Sequence, residues 1–280
     1  MPDGRLIVCA TPIGHLGDVT LRVLEALRSA DTVAAEDTRV TRKLFARFDI
    51  HTPLEPYHAK NLERRTPELV ERMLAGESVA LVSDAGTPGV SDPGSKLVDA
   101  CLDAGVPVDV LPGASAIITA LVASGLPTHA FYFGGFLPRK AGDRRRALEA
   151  VALLDATLVF YESPRRTAAT LASIAETLPG RRAAMARELT KMHEEVLRDD
   201  VAALSTAVEG RELKGEVVVL VGPPARIGAA ERARASDPTE LKQRVDSAIA
   251  GGMSRKDAVR SVADETGLPR NAVYEASLSS

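Results

Sequence analysis

Short apolar runs alternate with amphipathic segments along most of this chain, and that alternation leaves few folds open to it. The runs are Leu6–Ala10, Thr32–Ala35, Ser78–Val82, Val106–Leu111, Phe131–Phe136, Thr157–Tyr161, Arg182–Arg187 and Glu216–Val221. Between them, apolar residues recur at three- and four-residue spacing, as at Leu21, Leu24 and Leu27, or Leu97, Val98, Cys101 and Leu102. Strand–helix alternation predicts α/β sheets with helices on their faces.

Two seams divide the pattern. Pro112 and Gly113 end the run at Leu111. Gly222–Asp237 carries Pro, Gly, Ala and Arg without apolar periodicity and reads as a linker. Beyond it only helical patterns remain. Lys242–Ala250 is one; Ser254–Thr266 is another, with Ser254 as N-cap and Asp257 three residues on, an acidic variant of the capping box. Gly267 is expected to stop that helix, and Pro269 to sit in the first turn of a third helix through Leu278. Helix, glycine turn, helix is the helix-turn-helix outline. The expected division is an N-terminal α/β domain over 1–112, a second over 113–222, a linker over 223–237 and a helical tail over 238–280.

The 35 basic and 38 acidic residues give a net charge of −3, so no global basicity points at nucleic acid. Aromatics make up 4% and Trp is absent, which disfavours a sheet of stacked aromatics that reads single strands. The start, with Pro12 and Gly14 breaking its apolar run, reads as a first strand and not as a signal peptide. No run approaches the roughly 18 apolar residues of a membrane span. Two cysteines, Cys9 and Cys101, are expected as buried reduced thiols, too few for a disulfide scaffold or a zinc site. A cytoplasmic location, with no membrane partner, is expected.

The densest stretch follows the run at Ser78–Val82. Residues 83–94 hold three Gly, two Pro and two Asp. A plain connection needs only about two to six residues. Glycines let backbone approach a ligand closely, and in open α/β sheets ligands bind outside the carboxyl ends of strands. Asp84 can accept hydrogen bonds from a ribose or an amine. Four further loops follow strands in the same way: Thr11–Asp18, Pro112–Ala116, Tyr161–Arg165 and Ala186–Lys191. The first lacks the G-x-G-x-x-G of dinucleotide sites, and no G-x-x-x-x-G-K-[ST] occurs, which disfavours ATP and GTP chemistry. The expected ligand is nucleoside-like, held by backbone and small side chains.

Local cations stand out against the net charge. Arg139, Lys140, Arg144, Arg145 and Arg146 place five in eight residues against Asp143 alone. Arg42, Lys43 and Arg47 are expected on one helical face, and Arg255, Lys256, Arg260 and Arg270 sit around the helix-turn-helix. Such clusters are expected to track RNA phosphates. Residues 231–280 hold eight basic and eight acidic side chains, so duplex DNA is not compelled.

Nine motifs occur here in order: T-P-I-G-x-L-G-D, A-E-D-T-R, S-D-A-G-T-P, D-P-G, P-G-x-S-A, F-L-P, F-Y-E-S, A-R-E-L-T-K and K-G-E. Together they resemble the ribosomal RNA small subunit methyltransferase I family of the tetrapyrrole methylase superfamily. The resemblance covers roughly residues 5–222, and S-R-K-D-A-V and G-L-P-R-N-A-V-Y in the tail also match. It implies two α/β domains with the cofactor cleft between them, a small helical domain, and a homodimer. It also implies S-adenosylmethionine as methyl donor and 2′-O-methylation of a cytidine in the decoding region of 16S rRNA, in the small ribosomal subunit. By resemblance, Pro12 and Gly14 border the donor cleft, and Ser83, Asp84, Ala85, Gly86 and Thr87 hold the donor's amino-acid and ribose end. Ser115 and Ala116 face it across the seam, while Tyr161, Leu189, Thr190, Lys191, Gly215 and Glu216 close around the adenine. Some relatives have H-x-H-N-E where this chain has His58-Ala59-Lys60-Asn61-Leu62, so a mechanism that needs the second His and the Glu does not carry over.

A ribose 2′-hydroxyl is a poor nucleophile at neutral pH, so a base or a local field is expected to help. The candidates are Asp37 as base or orienter, Arg39 as phosphate or hydroxyl positioner, and His58 or Lys60 in support. No metal is expected, because His, Cys and carboxylates do not cluster at ligand spacings. Two other readings compete: a small-molecule, tetrapyrrole-like methylase using the same cleft, and a non-catalytic nucleic-acid-binding module. The first has no need of the Arg139–Arg146 cations or the tail; the second predicts no donor binding.

Overall fold

A computed structural model describes residues 4–224, 237–266, 268 and 270–278. The chain divides into two compact units, Met1–Pro224 and Ala225–Ser280. The first contains two five-stranded sheets. Strands β1 (Arg5–Cys9), β2 (Thr32–Ala35), β3 (Leu54–Pro56), β4 (Ser78–Val82) and β5 (Val108–Leu111) form one, in the order β3-β2-β4-β1-β5 and parallel throughout. Strands β6 (Phe131–Phe136), β7 (Thr157–Glu162), β8 (Arg182–Arg187), β9 (Glu195–Asp200) and β10 (Val217–Val221) form the other, in the order β6-β7-β10-β8-β9. Only β6 and β7 run parallel in the second sheet.

Both sheets are buried on both faces, which is why their central strands read as continuous apolar runs. In the first sheet, Cys9, Val33, Ala80 and Val82 pack under α1 (Leu21–Ser29) and α2 (Thr38–Phe48), through Val23, Leu27, Leu44 and Phe45. The alternate residues Leu6, Val8, Val79 and Leu81 pack under α3 (Leu62–Leu74) and α4 (Gly94–Asp103), through Leu69, Met73, Leu97 and Cys101. In β10, Val217, Val219 and Val221 face one core, and Val218 and Leu220 the other, beneath α5 (Ala116–Ser124). The α5 core also takes in Ile13 from the loop after β1 and Leu189 from the loop after β8, so both sheets feed it.

Several element ends differ from expectation. Val106 lies outside β5: its N–H donates to the Cys101 carbonyl at 2.8 Å and closes α4. Glu216 lies outside β10, its N–H held by Glu188 Oε1 at 3.0 Å. Strands β3 and β9 were not expected at all. Cys9 and Cys101 are free and buried, and burial pushes their thiols up to about 12 and about 11.

The second unit holds three helices, Pro238–Ala250, Arg255–Thr266 and Arg270–Leu278, around Leu241, Val245, Val259, Val262 and Val273. The first helix begins four residues earlier than its apolar periodicity indicates. Asp237 caps it, accepting from Thr239 N–H at 2.9 Å, and Pro238 fits the first turn. Ser254 Oγ accepts from Asp257 N–H at 3.2 Å, as its N-cap spacing predicts. Gly267, Pro269 and residues 225–236 of the expected linker lie outside the described residues.

Candidate active site

At the centre of the first sheet, the loops leaving β1 and β4 are knitted together. Thr11 N–H donates to the Gly86 carbonyl at 2.9 Å, and Gly86 N–H donates back to Thr11 at 3.0 Å. Gly86 holds φ at +78°, a left-handed conformation that a side chain disfavours. Asp92 Oδ1 accepts from Gly89 and Gly94 N–H at 2.8 and 2.7 Å, folding the twelve-residue loop back on itself.

Beside these loops lies a cavity of about 480 Å³, walled by both sheets. That volume suits a ligand of nucleoside size. Ser83, Asp84, Ala85, Gly86 and Thr87 line it from the first sheet, Ser115 and Ala116 from the start of α5, and Tyr161, Gly215 and Glu216 from the second sheet. Pro12, Gly14, Leu189, Thr190 and Lys191 do not line it. Gly14 packs against residues 189–191, His15 N–H donates to Thr190 Oγ1 at 3.0 Å, and Lys191 Nζ bonds Glu188 and Glu216 at 2.8 and 3.0 Å. Lys191 therefore acts on the cavity through Glu216. Glu188 and Thr190 both hold positive φ, 51° and 64°. For a β-branched threonine this is strained backbone of the kind found at ligand clamps.

The walls are acidic. Glu36, Asp84, Asp92, Glu162 and Glu216 line the cavity, and no Lys, Arg or His is among the described residues that do, although Arg166 pairs with Glu162 at 3.2 Å. Burial, then the charge of Asp84, raises the Glu36 carboxyl. Burial raises Asp84 likewise, opposed by the hydrogen bond from Asp37 N–H and reinforced by the charges of Asp37 and Glu216. Lys191 offsets Glu216 and Arg166 offsets Glu162, but the carboxylates outnumber these cations, and the excess negative charge makes a site complementary to a positively charged ligand.

The four catalytic candidates stand outside this wall. Asp37 caps α2 and holds Arg39, accepting from Arg39 N–H at 2.8 Å and from its guanidinium at 2.6 Å. Those bonds lower its carboxyl to about 2. Its N–H donates to Asp84 Oδ1 at 3.0 Å, tying it to the cavity edge. A carboxylate so stabilised is a weak proton acceptor. His58 and Lys60 follow β3, one strand further out along the same carboxyl edge; His58 Nδ1 is buried with no hydrogen-bond partner, and Lys60 is exposed.

The basic candidates separate as well. Arg42, Lys43, Arg139, Lys140, Arg255, Lys256 and Arg270 are exposed. Arg145 and Arg146 are exposed but paired with Glu149 and Asp143. Arg144 is buried, its Nε donating to Ser173 Oγ at 2.9 Å and its Nη1 to the Arg139 carbonyl at 3.3 Å. It is a brace and not a surface cation, a correction to the expected RNA contacts.

Comparison with known proteins adds a family. Residues 5–205 match the Tetrapyrrole (Corrin/Porphyrin) Methylases, and residues 235–280 the RsmI C-terminal HTH domain. A ribosomal RNA small subunit methyltransferase I of Mesorhizobium japonicum is 45% identical over 274 residues, 97% of this chain and 90% of that protein. This chain belongs to the ribosomal RNA small subunit methyltransferase I family. A family member from Synechocystis is 43% identical, covering 98% of each chain. Among solved structures, uroporphyrin-III C-methyl transferase from Thermus thermophilus complexed with S-adenyl homocysteine matches at TM-score 0.56 and 21% identity, over 80% of this chain and all of that one. At that identity the likeness shows the methylase fold.

In this family member, reading the sequence missed Glu36, Asp92 and Phe136 as cavity residues. Glu36 directly follows β2, and Asp92 lies inside the glycine-rich loop, so both had a positional signal. The signal for Phe136 is the Gly134-Gly135 pair inside an apolar run, since glycine within a strand marks a bulge.

Proposed function

We propose that this family member methylates the ribose 2′-hydroxyl of a cytidine in 16S rRNA of the small ribosomal subunit, with S-adenosylmethionine as donor. The observation that carries the donor assignment is the acid-walled cavity between the carboxyl end of the parallel sheet and the edge of the second sheet where β7 ends and β10 begins. When bound, S-adenosylmethionine supplies a methyl group already activated on a positive sulfonium, so positioning provides much of the rate. Glu36, Asp84 and Glu216 complement that charge, and the backbone at Gly86 and Gly215, both at positive φ, allows close approach.

Asp37 fixes Arg39, and Arg39 positions a phosphate or the acceptor hydroxyl, with His58 and Lys60 in support one strand away. Arg42, Lys43, Arg139, Lys140, Arg145 and Arg146 take RNA phosphates around the cavity, and Arg255, Lys256 and Arg270 do so on the helical tail. The halves 1–112 and 113–222 act as two domains closing on the donor. The enzyme works as a cytoplasmic homodimer. Exposed Val110 on edge strand β5, and Ile118 and Val122 one turn apart on α5, support a second copy there. Among the described residues, no helix is long and apolar enough to cross a membrane.

The test is incubation with labelled S-adenosylmethionine and undermethylated small subunits, followed by mapping of the label. A 2′-O-methyl on one 16S cytidine is expected. Donor binding with no transfer to RNA moves the assignment to a small-molecule acceptor.

A further inference from the structure

Six of the ten Phe and Tyr residues of this aromatic-poor chain lie on two adjacent strands: Phe131, Tyr132, Phe133 and Phe136 on β6, and Phe160 and Tyr161 on β7. Three are accounted for by packing, and Phe131 and Tyr132 are exposed without lining the cavity. Phe160 is buried in one core, and Phe133 packs edge-on against Tyr161 at 4.9 Å in the other. Phe136 is different. It lines the cavity yet remains 56% exposed.

Its position is set by a break in register. Phe133 stands opposite Val159, but Phe136 stands opposite Tyr161, so three steps on β6 match two on β7. This is a one-residue bulge, and Gly135 within it holds φ at +60°. In regular register, Gly135 would oppose Tyr161 and Phe136 would oppose Glu162. Successive side chains alternate between faces, so the ring would then point to the Leu158–Phe160 core. The bulge turns it to the cavity face instead, 5.7 Å from the Tyr161 ring and tilted by 57°. Gly134 is also required, because a β-carbon there would stand 2.5 Å from the Phe160 ring. Two consecutive glycines thus place one large apolar ring, more than half exposed, in the wall of the cavity.

The chain that follows is held rigid and carries charge. Arg166 Nη2 donates to the Leu137 carbonyl at 2.6 Å, and Arg144 to that of Arg139 at 3.3 Å. At the second anchor and just after it, the side chains of Arg139 and Lys140 remain exposed. An exposed ring followed three and four residues on by two exposed cations matches an unpaired nucleotide, the ring for the base and the cations for its phosphates.

We propose that Phe136 is the platform on which the base of the acceptor nucleotide stacks while its ribose enters the cavity, with Arg139 and Lys140 on the flanking phosphates. The inference rests on the RNA-methylation reading above. Phe136 is a positioning residue: it holds the nucleotide and exchanges no proton.

The test compares the unsubstituted enzyme with F136L, which keeps apolar bulk but loses the π-face, and F136Y, which keeps it. With undermethylated small subunits as substrate, F136L is expected to raise KM by about tenfold, within the usual range for one stacked base. F136Y is expected to stay near the unsubstituted enzyme. The dissociation constant for S-adenosylmethionine, by calorimetry, is expected to be the same for all three. Unchanged KM in F136L overturns the inference. So does a loss confined to donor affinity, which would place the ring on the donor. If F136L does not fold, F136M takes its place with the same expected outcomes. No transfer by the unsubstituted enzyme overturns the RNA reading itself and the inference with it.

Discussion

Gly14 lies directly against Lys191: a β-carbon on Gly14 would stand 2.5 Å from Lys191 Cγ, and 2.9 Å from the Leu189 carbonyl. The side chain can swing aside, but the carbonyl belongs to a backbone already strained at Glu188 and Thr190. Gly14→Ala is expected to cost about 1–3 kcal/mol of stability, as overpacking does. It is also expected to weaken donor binding by about tenfold, the worth of one charged hydrogen bond, because Lys191 holds Glu216 in the wall. Calorimetry and thermal unfolding check both. An unaltered donor affinity would detach this contact from the cavity.

Glu36→Gln is expected to stabilise the empty protein and harm donor binding. A carboxyl whose folded pKa is raised binds its proton more tightly in the folded state, so its contribution falls as pH rises through that raised value. At neutral pH the Gln variant therefore melts higher than the unsubstituted protein. The gap closes as pH drops into the carboxylate range, where Glu36 is protonated in any case. Donor affinity at neutral pH falls by about tenfold or more with the loss of one partly buried charge. Melting curves from pH 4 to 8 read the first effect, and titration with donor reads the second.

Asp37 gives the opposite sign. Its carboxyl is held at about 2, so its stabilising effect is full above the ordinary carboxylate range and is lost as pH falls towards 2. Asp37→Asn keeps a competent cap on α2 and frees Arg39. We expect lower turnover on RNA with an unmoved pH profile of kcat, whereas Asp37→Ala also lowers the melting temperature. Disappearance of a limb of that profile in the Asn variant would identify Asp37 as the base.

Adjacent arginines are expected to part company. Arg144→Ala leaves Ser173 and the Arg139 carbonyl without their donor inside the fold, at a cost of about 1–3 kcal/mol. The double change Arg139→Ala and Lys140→Ala leaves the melting temperature in place, raises KM for small subunits and flattens its salt dependence. Equal effects of the two variants on KM and on melting would erase the distinction between brace and contact.

Removal of residues 235–280 is expected to leave donor affinity intact and to raise KM for the ribosomal substrate. The first unit holds the whole cavity, and Arg255, Lys256 and Arg270 go with the tail. Steady-state kinetics on small subunits decide it, and an unaltered KM excludes the tail from docking.

Much of this architecture was legible because burial on both faces writes strands as continuous apolar runs, as in Val217–Val221. The missed strands lack that signature. Strand β3 is three residues ending in Pro56, and β9 is Glu-Val-Leu-Arg-Asp-Asp; both lie at sheet edges, where charge and proline are tolerated. In the cavity, loop glycines and their aspartates announced themselves by density. Phe136 did not, because its orientation depends on a single register slip between β6 and β7, which no residue type encodes by itself. Arg144 misled for a related reason: three successive arginines on a helix point in different directions, and one of them points inward.

The cavity takes its walls from two sheets, Ser83–Thr87 from one and Tyr161, Gly215 and Glu216 from the other. A molecule bound there is released whenever either sheet opens, so its affinity becomes resistance of both to unfolding. At a hundred times its dissociation constant, a ligand adds about 2.7 kcal/mol to the free energy of unfolding. The lifetime of this protein against proteases is therefore expected to follow the size of the cell's methyl-donor pool, lengthening when the donor is abundant and shortening when it is scarce.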